Sequence, residues 1–158
     1  MPGQPKIKGF FRPYNEYVPF TEGQIKKVAT LVKKLAIQYN INPRFILGHS
    51  DVAPTRKIDP GPKFPWKRLY KEYGIGAWYD EKDKLFYTNE ELYKKAPISA
   101  IKAEFRKYGY NMNESDEWDE PSRRIIYNFQ AHFNPKGLSG NMDLETYAII
   151  KALNKKYR

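Results

Sequence analysis

Apolar residues recur every three or four positions in one long stretch near the start of the chain, which predicts an amphipathic helix beginning at Thr21. Thr21 and Gln24 have the spacing of a capping box. The apolar stripe consists of Ile25, Val28, Leu31, Val32, Leu35 and Tyr39. Asn42-Pro43 ends this pattern, and the short apolar run at residues 45–47 then predicts a buried strand.

Helical spacing returns after residue 64 and dominates the last third of the sequence. Pro65 and Trp66 start one predicted helix, which Gly74 ends. Four more helices are predicted: a short one capped around Asn89, one from Ile98 to Tyr108, one opening at Asp119-Glu120-Pro121, and one capped by Asp143. The charged residues 80–87 between the two groups read as a connector.

These elements predict an α/β fold followed by a small all-α bundle. Residues 1–80 are assigned to an incomplete mixed sheet with flanking helices, residues 81–87 to a linker, and residues 88–158 to a helical domain. Residues 1–20 have no sustained period. They are expected to form an extended arm whose aromatic side chains pack on this chain or on a partner.

The amino-acid composition restricts the possible kinds of active site more than it restricts the fold class. The absence of cysteine among the 158 residues excludes disulfides, thiolate zinc sites and a thiol nucleophile. The formal net charge is +10, but the lysines are spread along the chain, so the charge permits a polyanionic partner without indicating one. No apolar run follows Met1, and we expect neither a signal peptide nor a membrane span in this sequence.

Residues 48–62 are the stretch that carries chemistry. His49 follows the predicted strand, and Lys57 and Asp59 lie two positions apart in a proline-rich loop. Nitrogen and oxygen donors on a stiff loop suit zinc, and zinc with an open position lowers the pKa of bound water to about 7. His49 and Asp59 are therefore candidate ligands, with Lys57 as a cation for an oxyanion. The alternative is an ordinary turn in which His49 has no metal.

The second histidine, His132, lies beside the apolar stripe of the third helix of the terminal module. No carboxylate pattern surrounds it, so a structural or surface role is favoured over zinc binding. The sequence also contains no calcium loop, glycine-rich phosphate loop or G-x-S-x-G motif.

The loop resembles the zinc-site segment of type 2 N-acetylmuramoyl-L-alanine amidases, within them the AmiD/AmpD branch. The matching residues run from Gly48-His49-Ser50-Asp51-Val52-Ala53-Pro54 through Arg56-Lys57-x-Asp59-Pro60-Gly61-Pro62 to Phe64-Pro65-Trp66, with Gly74-Ile75-Gly76-Ala77-Trp78 beyond. The helical module resembles the peptidoglycan-binding domain of that branch at Gly109-Tyr110, Phe129-Gln130-x-His132-Phe133 and Gly140-x-Met142-Asp143.

The resemblance implies a Zn²⁺ enzyme that hydrolyses the amide between N-acetylmuramic acid and L-alanine of peptidoglycan. It assigns His49 and Asp59 as zinc ligands and Lys57 as the catalytic lysine. The family's first zinc histidine and its catalytic glutamate lie upstream of the helix that starts here at Thr21. Residues 1–20 contain no histidine, and Glu16 is in the wrong context. We therefore expect a C-terminal half of an amidase domain, completed by a separate chain or a longer precursor.

Two alternatives stay open. The chain can be a non-catalytic remnant that binds peptidoglycan or muropeptides through residues 88–158. It can also be a basic nucleic-acid-binding protein, which is the weakest of the three hypotheses because no recognised nucleic-acid motif is present. The family implies the cell envelope, but the sequence itself does not specify a compartment.

Overall fold

The computed structural model describes residues 10–158, and helices dominate this part of the chain. Eight α-helices lie between Glu22 and Tyr157. They are α1 (Glu22–Gln38), α2 (His49–Val52), α3 (Trp66–Tyr73), α4 (Glu81–Tyr87), α5 (Glu90–Lys95), α6 (Ile98–Tyr108), α7 (Glu120–Phe133) and α8 (Leu144–Tyr157). None of the described helices is both long and apolar enough to cross a bilayer.

The predicted α/β fold is wrong for residues 10–158, which contain helices and no strand or sheet. Phe45, the first residue of the predicted buried strand over residues 45–47, instead ends a 3-10 turn over Pro43–Phe45. Ile46 does have extended dihedral angles, but no described segment lies alongside it to form a ladder. Phe45 and Leu47 are also exposed. The length and composition of a short apolar run are therefore not enough to establish a strand.

The predicted helix starts are confirmed by their caps. Thr21 and Gln24 form the reciprocal capping box, with N···O distances of 2.9 and 3.1 Å. Asn89, Asp119 and Asp143 each accept a hydrogen bond from a backbone amide three residues ahead. These side chains accept hydrogen bonds from amides that the first helical turn leaves without partners. The helix starts can therefore be predicted from the sequence.

The main core is built by helices α6, α7 and α8. It is rich in aromatic rings, several of which meet edge to face, such as Phe105 with Phe129 at 5.1 Å between centroids. Trp66 and Trp78 extend this core toward the first half of the chain. A second, smaller cluster joins α1 to α3 and consists of Ile25, Ala29, Leu69 and Ile75.

Phe10, Phe11 and Tyr17 of the aromatic arm pack on α7, whereas Phe20 packs against Phe64. Residues 1–9 lie outside the described residues. Phe10 and Phe11 both contact Tyr127, whose hydroxyl donates to the carbonyl oxygen of Arg12 at 2.6 Å. The hydroxyl of Tyr17 lies 2.6 Å from that of Tyr127. Of the two alternatives for the arm, packing on this chain is the one observed.

Residues 81–87, predicted as a linker, form helix α4. This helix packs against α8, and Lys155 Nζ lies 2.8 Å from Asp83 Oδ1. At the helix start, Lys156 Nζ lies 2.8 Å from Asp80 Oδ1. The division of the chain at residues 80 and 88 stays a prediction, but its connector is an ordered helix.

A buried lysine links α6 to the start of α7. Lys102 is fully buried, and the three protons of its ammonium are shared among four oxygens: Asn113 Oδ1 and both oxygens of Ser115 at 2.8 Å, and the Glu117 carbonyl at 2.6 Å. Asn113 and Ser115 also donate to Asp119, the N-cap of α7. Hydrogen bonds from Ser122 are the main reason that the pKa of Asp119 falls to about 2.

We expect Lys102→Met to lower the free energy of unfolding by about 2–3 kcal/mol, because the carbonyl oxygens of Ser115 and Glu117 lose their charged donor. Urea denaturation followed by far-UV circular dichroism measures this change. Lys107→Met is the matched control, since Lys107 is exposed on the same helix. Equal stability of the two variants would contradict the structural role of Lys102.

Candidate metal and substrate site

The candidate site is the loop between α1 and α3, and a close contact of its two ends brings the predicted ligands together. The amide of Ser50 donates to the carbonyl oxygen of Asp59 at 2.8 Å. Gly48 packs against Pro60 so closely that a Cβ at position 48 would lie 2.6 Å from the proline Cδ. Glycine is therefore required at position 48 by the close approach of the two segments.

His49 and Asp59 are adjacent, although ten residues separate them in the sequence. His49 Nδ1 lies 3.3 Å from Asp59 Oδ2, and their side chains are 51% and 65% exposed. A solvent-accessible imidazole and carboxylate are donors that zinc accepts, so the two residues fit a metal as part of a ligand set. Within residues 10–158, no three His, Cys, Asp or Glu side chains cluster closely enough to hold a metal ion.

Lys57 is exposed on the same loop. Its amide donates to the carbonyl oxygen of Ala53 at 3.0 Å, which closes a turn, and its own carbonyl oxygen accepts from Asn128. The ammonium forms no ion pair with any residue that the structure describes. The roles of Lys57, His49 and Asp59 stay predictions, and what the structure adds is the proximity of His49 to Asp59.

Asp51 occupies the buried side of the loop. Its side chain is 3% exposed, and Oδ2 accepts from the Gly48 amide at 2.8 Å and from His132 Nδ1 at 2.9 Å. Tyr110 donates its hydroxyl to Oδ1 at 3.0 Å. Burial alone would raise the pKa of Asp51, but the charge and hydrogen bond of His132, with those of Gly48 and Tyr110, lower it overall. An ionised carboxylate only accepts, so His132 carries its proton on Nδ1.

Helix α7 supplies further contacts to the loop. His132 stacks on Trp66 with ring centroids 4.0 Å apart, and Asn128 donates to the carbonyl oxygens of Pro54 and Lys57. Arg124 donates to the carbonyl oxygen of Thr55. Sequence reasoning did not single out Arg124 or Asn128, and it favoured a structural or surface role for His132 without identifying its partner Asp51. Their spacing of four was visible in the sequence, but nothing there indicated which segment that helix face contacts.

An apolar cleft of about 300 Å³ opens beside the His49–Asp59 pair. Its walls include Val28, Ala29 and Val32 of α1 together with Leu47. The apolar stripe of α1 is only partly covered by other described residues. Ile25 is buried, whereas Leu31 is 57% and Tyr39 66% exposed. The pair thus borders an uncovered apolar surface.

Residues 7–62 match the family model for N-acetylmuramoyl-L-alanine amidase. The chain is homologous to amidases of the AmiD and AmpD type. It is 38% identical over 142 residues to N-acetylmuramoyl-L-alanine amidase AmiD of Escherichia coli, covering 89% of this chain and 51% of AmiD. Over 52 residues it is 42% identical to the 1,6-anhydro-N-acetylmuramyl-L-alanine amidase AmpD of Enterobacter cloacae, covering 33% of this chain and 28% of AmpD.

Solved structures give the same relationship. E. coli AmiD in complex with anhydro-N-acetylmuramic acid-L-Ala-D-γ-Glu-L-Lys superimposes with a TM-score of 0.78 at 37% identity, covering 89% of this chain and 55% of AmiD. AmpDh3 of Pseudomonas aeruginosa in complex with an anhydromuramic pentapeptide gives a TM-score of 0.82 at 38% identity, covering 89% of this chain and 55% of AmpDh3. The chain therefore spans about half the length of these relatives.

The predicted relationship to amidases of the AmiD/AmpD type is confirmed by these matches. The relatives are enzymes, as the resemblance implied, and the family match includes His49, Lys57 and Asp59. The AmiD match continues through most of the helical module, whereas the AmpD match covers only a third of the chain.

Proposed function

We propose that this chain forms part of a zinc-dependent peptidoglycan amidase. The substrate is an N-acetylmuramoyl peptide, and the bond hydrolysed is the amide between the muramic acid lactyl group and L-alanine. The observation that carries the proposal is the adjacency of His49 and Asp59 on a loop inside the amidase family match. Peptidoglycan or muropeptides are the partners, and no nucleic acid is involved.

In this proposal His49 and Asp59 are metal ligands and Lys57 is a catalytic residue. The chemistry that zinc supplies when bound is polarisation of the amide carbonyl and activation of a water molecule. Lys57 places a positive charge where negative charge develops on the carbonyl oxygen. Hydrolysis then leaves a carboxylate on the lactyl group and a free amine on L-alanine.

A further ligand and a general base come from residues outside this sequence. Two ligands leave the three-ligand set of a catalytic zinc site incomplete, and the other histidine, His132, is committed to Asp51. The open apolar cleft beside the pair, lined by Val28, Val32 and Leu47, is suited to covering by the missing segment. The segment can belong to a longer form of this polypeptide or to a second chain.

Residues 88–158 are proposed to bind peptidoglycan. Their motifs resemble the binding domain of the AmiD branch, and the match to E. coli AmiD covers 89% of the chain. Sedimentation with purified murein is expected for the full chain. Sedimentation that survives deletion of residues 88–158 would contradict this assignment.

The proposed activity is tested by completing the chain. The part of E. coli AmiD outside the matched region is joined ahead of it, and cleavage of anhydro-N-acetylmuramic acid-L-Ala-D-γ-Glu-L-Lys is followed by chromatography. The corresponding part of AmpDh3 serves as a second donor in case one fusion does not fold. Zinc-dependent release of the tripeptide is expected. Two folded fusions that bind the muropeptide without cleaving it would favour the non-catalytic remnant.

A further inference from the structure

One face of α7 is in direct contact with the candidate loop. Arg124, Asn128 and His132 occur four residues apart, so they form one row along the helix. Arg124 Nη1 donates to the carbonyl oxygen of Thr55 at 2.8 Å, and His132 donates to Asp51. Between them, Asn128 Nδ2 donates to the carbonyl oxygens of Pro54 and Lys57, each at 2.8 Å. The row follows the loop from Asp51 to Lys57.

Asn128 is the central contact of this row. It is fully buried, and both protons of its amide group are used by loop carbonyl oxygens. These carbonyl oxygens come from the turn immediately before Asp59. An apolar side chain at position 128 would leave them without this donor, and a buried carbonyl without a partner is costly. The amide therefore favours one conformation of the turn.

The remaining contacts also come from the helical part of the chain. Tyr110, which follows α6, donates to Asp51, and the Lys102 network ties α6 to the start of α7. Asp51 in turn accepts from the Gly48 amide beside His49. A residue two positions from each candidate ligand, Asp51 or Lys57, is thus hydrogen-bonded by side chains of the helical module.

We propose that α7 positions the metal loop, with Arg124, Asn128 and His132 as positioning residues. The helical module then has a second role besides binding peptidoglycan, because it sets the distance between His49 and Asp59. This inference rests on the proposed function only in calling the loop a metal site. Partners that orient metal ligands from outside the coordination shell typically change metal affinity about 10–100-fold.

The test compares Asn128→Leu with Asn154→Leu in the full chain. Asn154 is a matched control, because it is also buried in a helix and its Nδ2 donates to the carbonyl oxygen of Glu104 at 2.8 Å, away from the loop. Amide hydrogen exchange is measured by NMR at Ser50, whose amide bonds to the Asp59 carbonyl, and at Lys57. Thermal unfolding reports the general loss of stability in both variants.

We expect similar losses of thermal stability, with faster exchange at Ser50 and Lys57 only in Asn128→Leu. In the completed enzyme, Asn128→Leu is also expected to weaken zinc binding by about 10-fold or more relative to Asn154→Leu. Equal exchange at these amides in the two variants, or equal zinc affinity, would overturn the proposal. If the completed wild-type enzyme neither binds zinc nor cleaves, the proposed function fails, while the exchange contrast still tests the positioning.

A second pair of variants covers the case in which Asn128→Leu does not fold. Arg124→Met removes the donor to Thr55 from a side chain that is 23% exposed. Arg123→Met is its control, because Arg123 lies over the ring of Phe11 and not on the loop. Faster loop exchange in Arg124→Met alone supports positioning by α7, and no difference between the two contradicts it.

Discussion

Asp59→Ala in the completed enzyme is expected to abolish cleavage of the muropeptide and to weaken zinc binding by more than the roughly 10–100-fold typical of a supporting residue. The reason is that alanine removes a proposed ligand and leaves His49 as the only proposed ligand on this loop. Zinc content after dialysis and initial rates of tripeptide release measure the two effects. Asp116→Ala is the control, because Asp116 is exposed on a loop outside the candidate site.

The fold should survive this substitution. The Asp59 side chain is 65% exposed and its carboxylate contacts His49. Exposed positions usually change the free energy of unfolding by about 0.5 kcal/mol or less. An inactive variant that unfolds like the wild type would therefore support a ligand role. An Asp59→Ala enzyme with wild-type zinc content and rate would exclude it.

Lys57→Met is expected to lower kcat of the completed enzyme by about 10²–10³-fold with little change in KM. A cation that meets the developing oxyanion acts on the transition state, and loss of one such donor typically has this magnitude. Arg56→Met is the matched control, since Arg56 is the neighbouring cation and is also exposed on the loop. Steady-state kinetics on the muropeptide separates the two constants.

A different division of the effect between kcat and KM would assign Lys57 another role. A higher KM with unchanged kcat would mean that the lysine binds a carboxylate of the substrate equally in the ground and transition states. Equal effects of Lys57→Met and Arg56→Met would mean that both residues act only through their contribution to a general positive potential. Only a lower kcat with little change in KM, found in Lys57→Met and not in Arg56→Met, supports a catalytic role for Lys57.

The helices of this chain can be predicted from its sequence because their ends are determined by nearby residues. Thr21 with Gln24, and Asp119 and Asp143, satisfy amides within three residues of themselves. Gly74 ends α3 in a left-handed conformation, with φ of 65°, that favours glycine. Such signals depend on neighbours in the chain and need no knowledge of the tertiary fold.

Whether residues 45–47 form a strand and which residues support the loop both depend on distant parts of the chain, so the strand prediction was wrong and the support of the loop was not predicted. Residues 45–47 have the composition of a buried strand, yet Phe45 and Leu47 are exposed in the described structure. Asn128 lies 74 residues from Pro54, and His132 lies 81 residues from Asp51. No periodicity or spacing rule predicts pairing over such distances. His49, Lys57 and Asp59 are candidates by residue type in a proline-rich loop, and the motif resemblance, which carries tertiary information that spacing lacks, then assigns their roles.

The central claim is that this chain contributes two ligands and a lysine to a zinc site that residues outside the sequence complete. Zinc stoichiometry, measured alongside muropeptide cleavage, tests it most directly for residues 1–158 alone and for the completed enzyme. We predict substoichiometric zinc and no cleavage for the chain alone, and one zinc ion with cleavage after completion. Stoichiometric zinc and cleavage by residues 1–158 alone would contradict the claim.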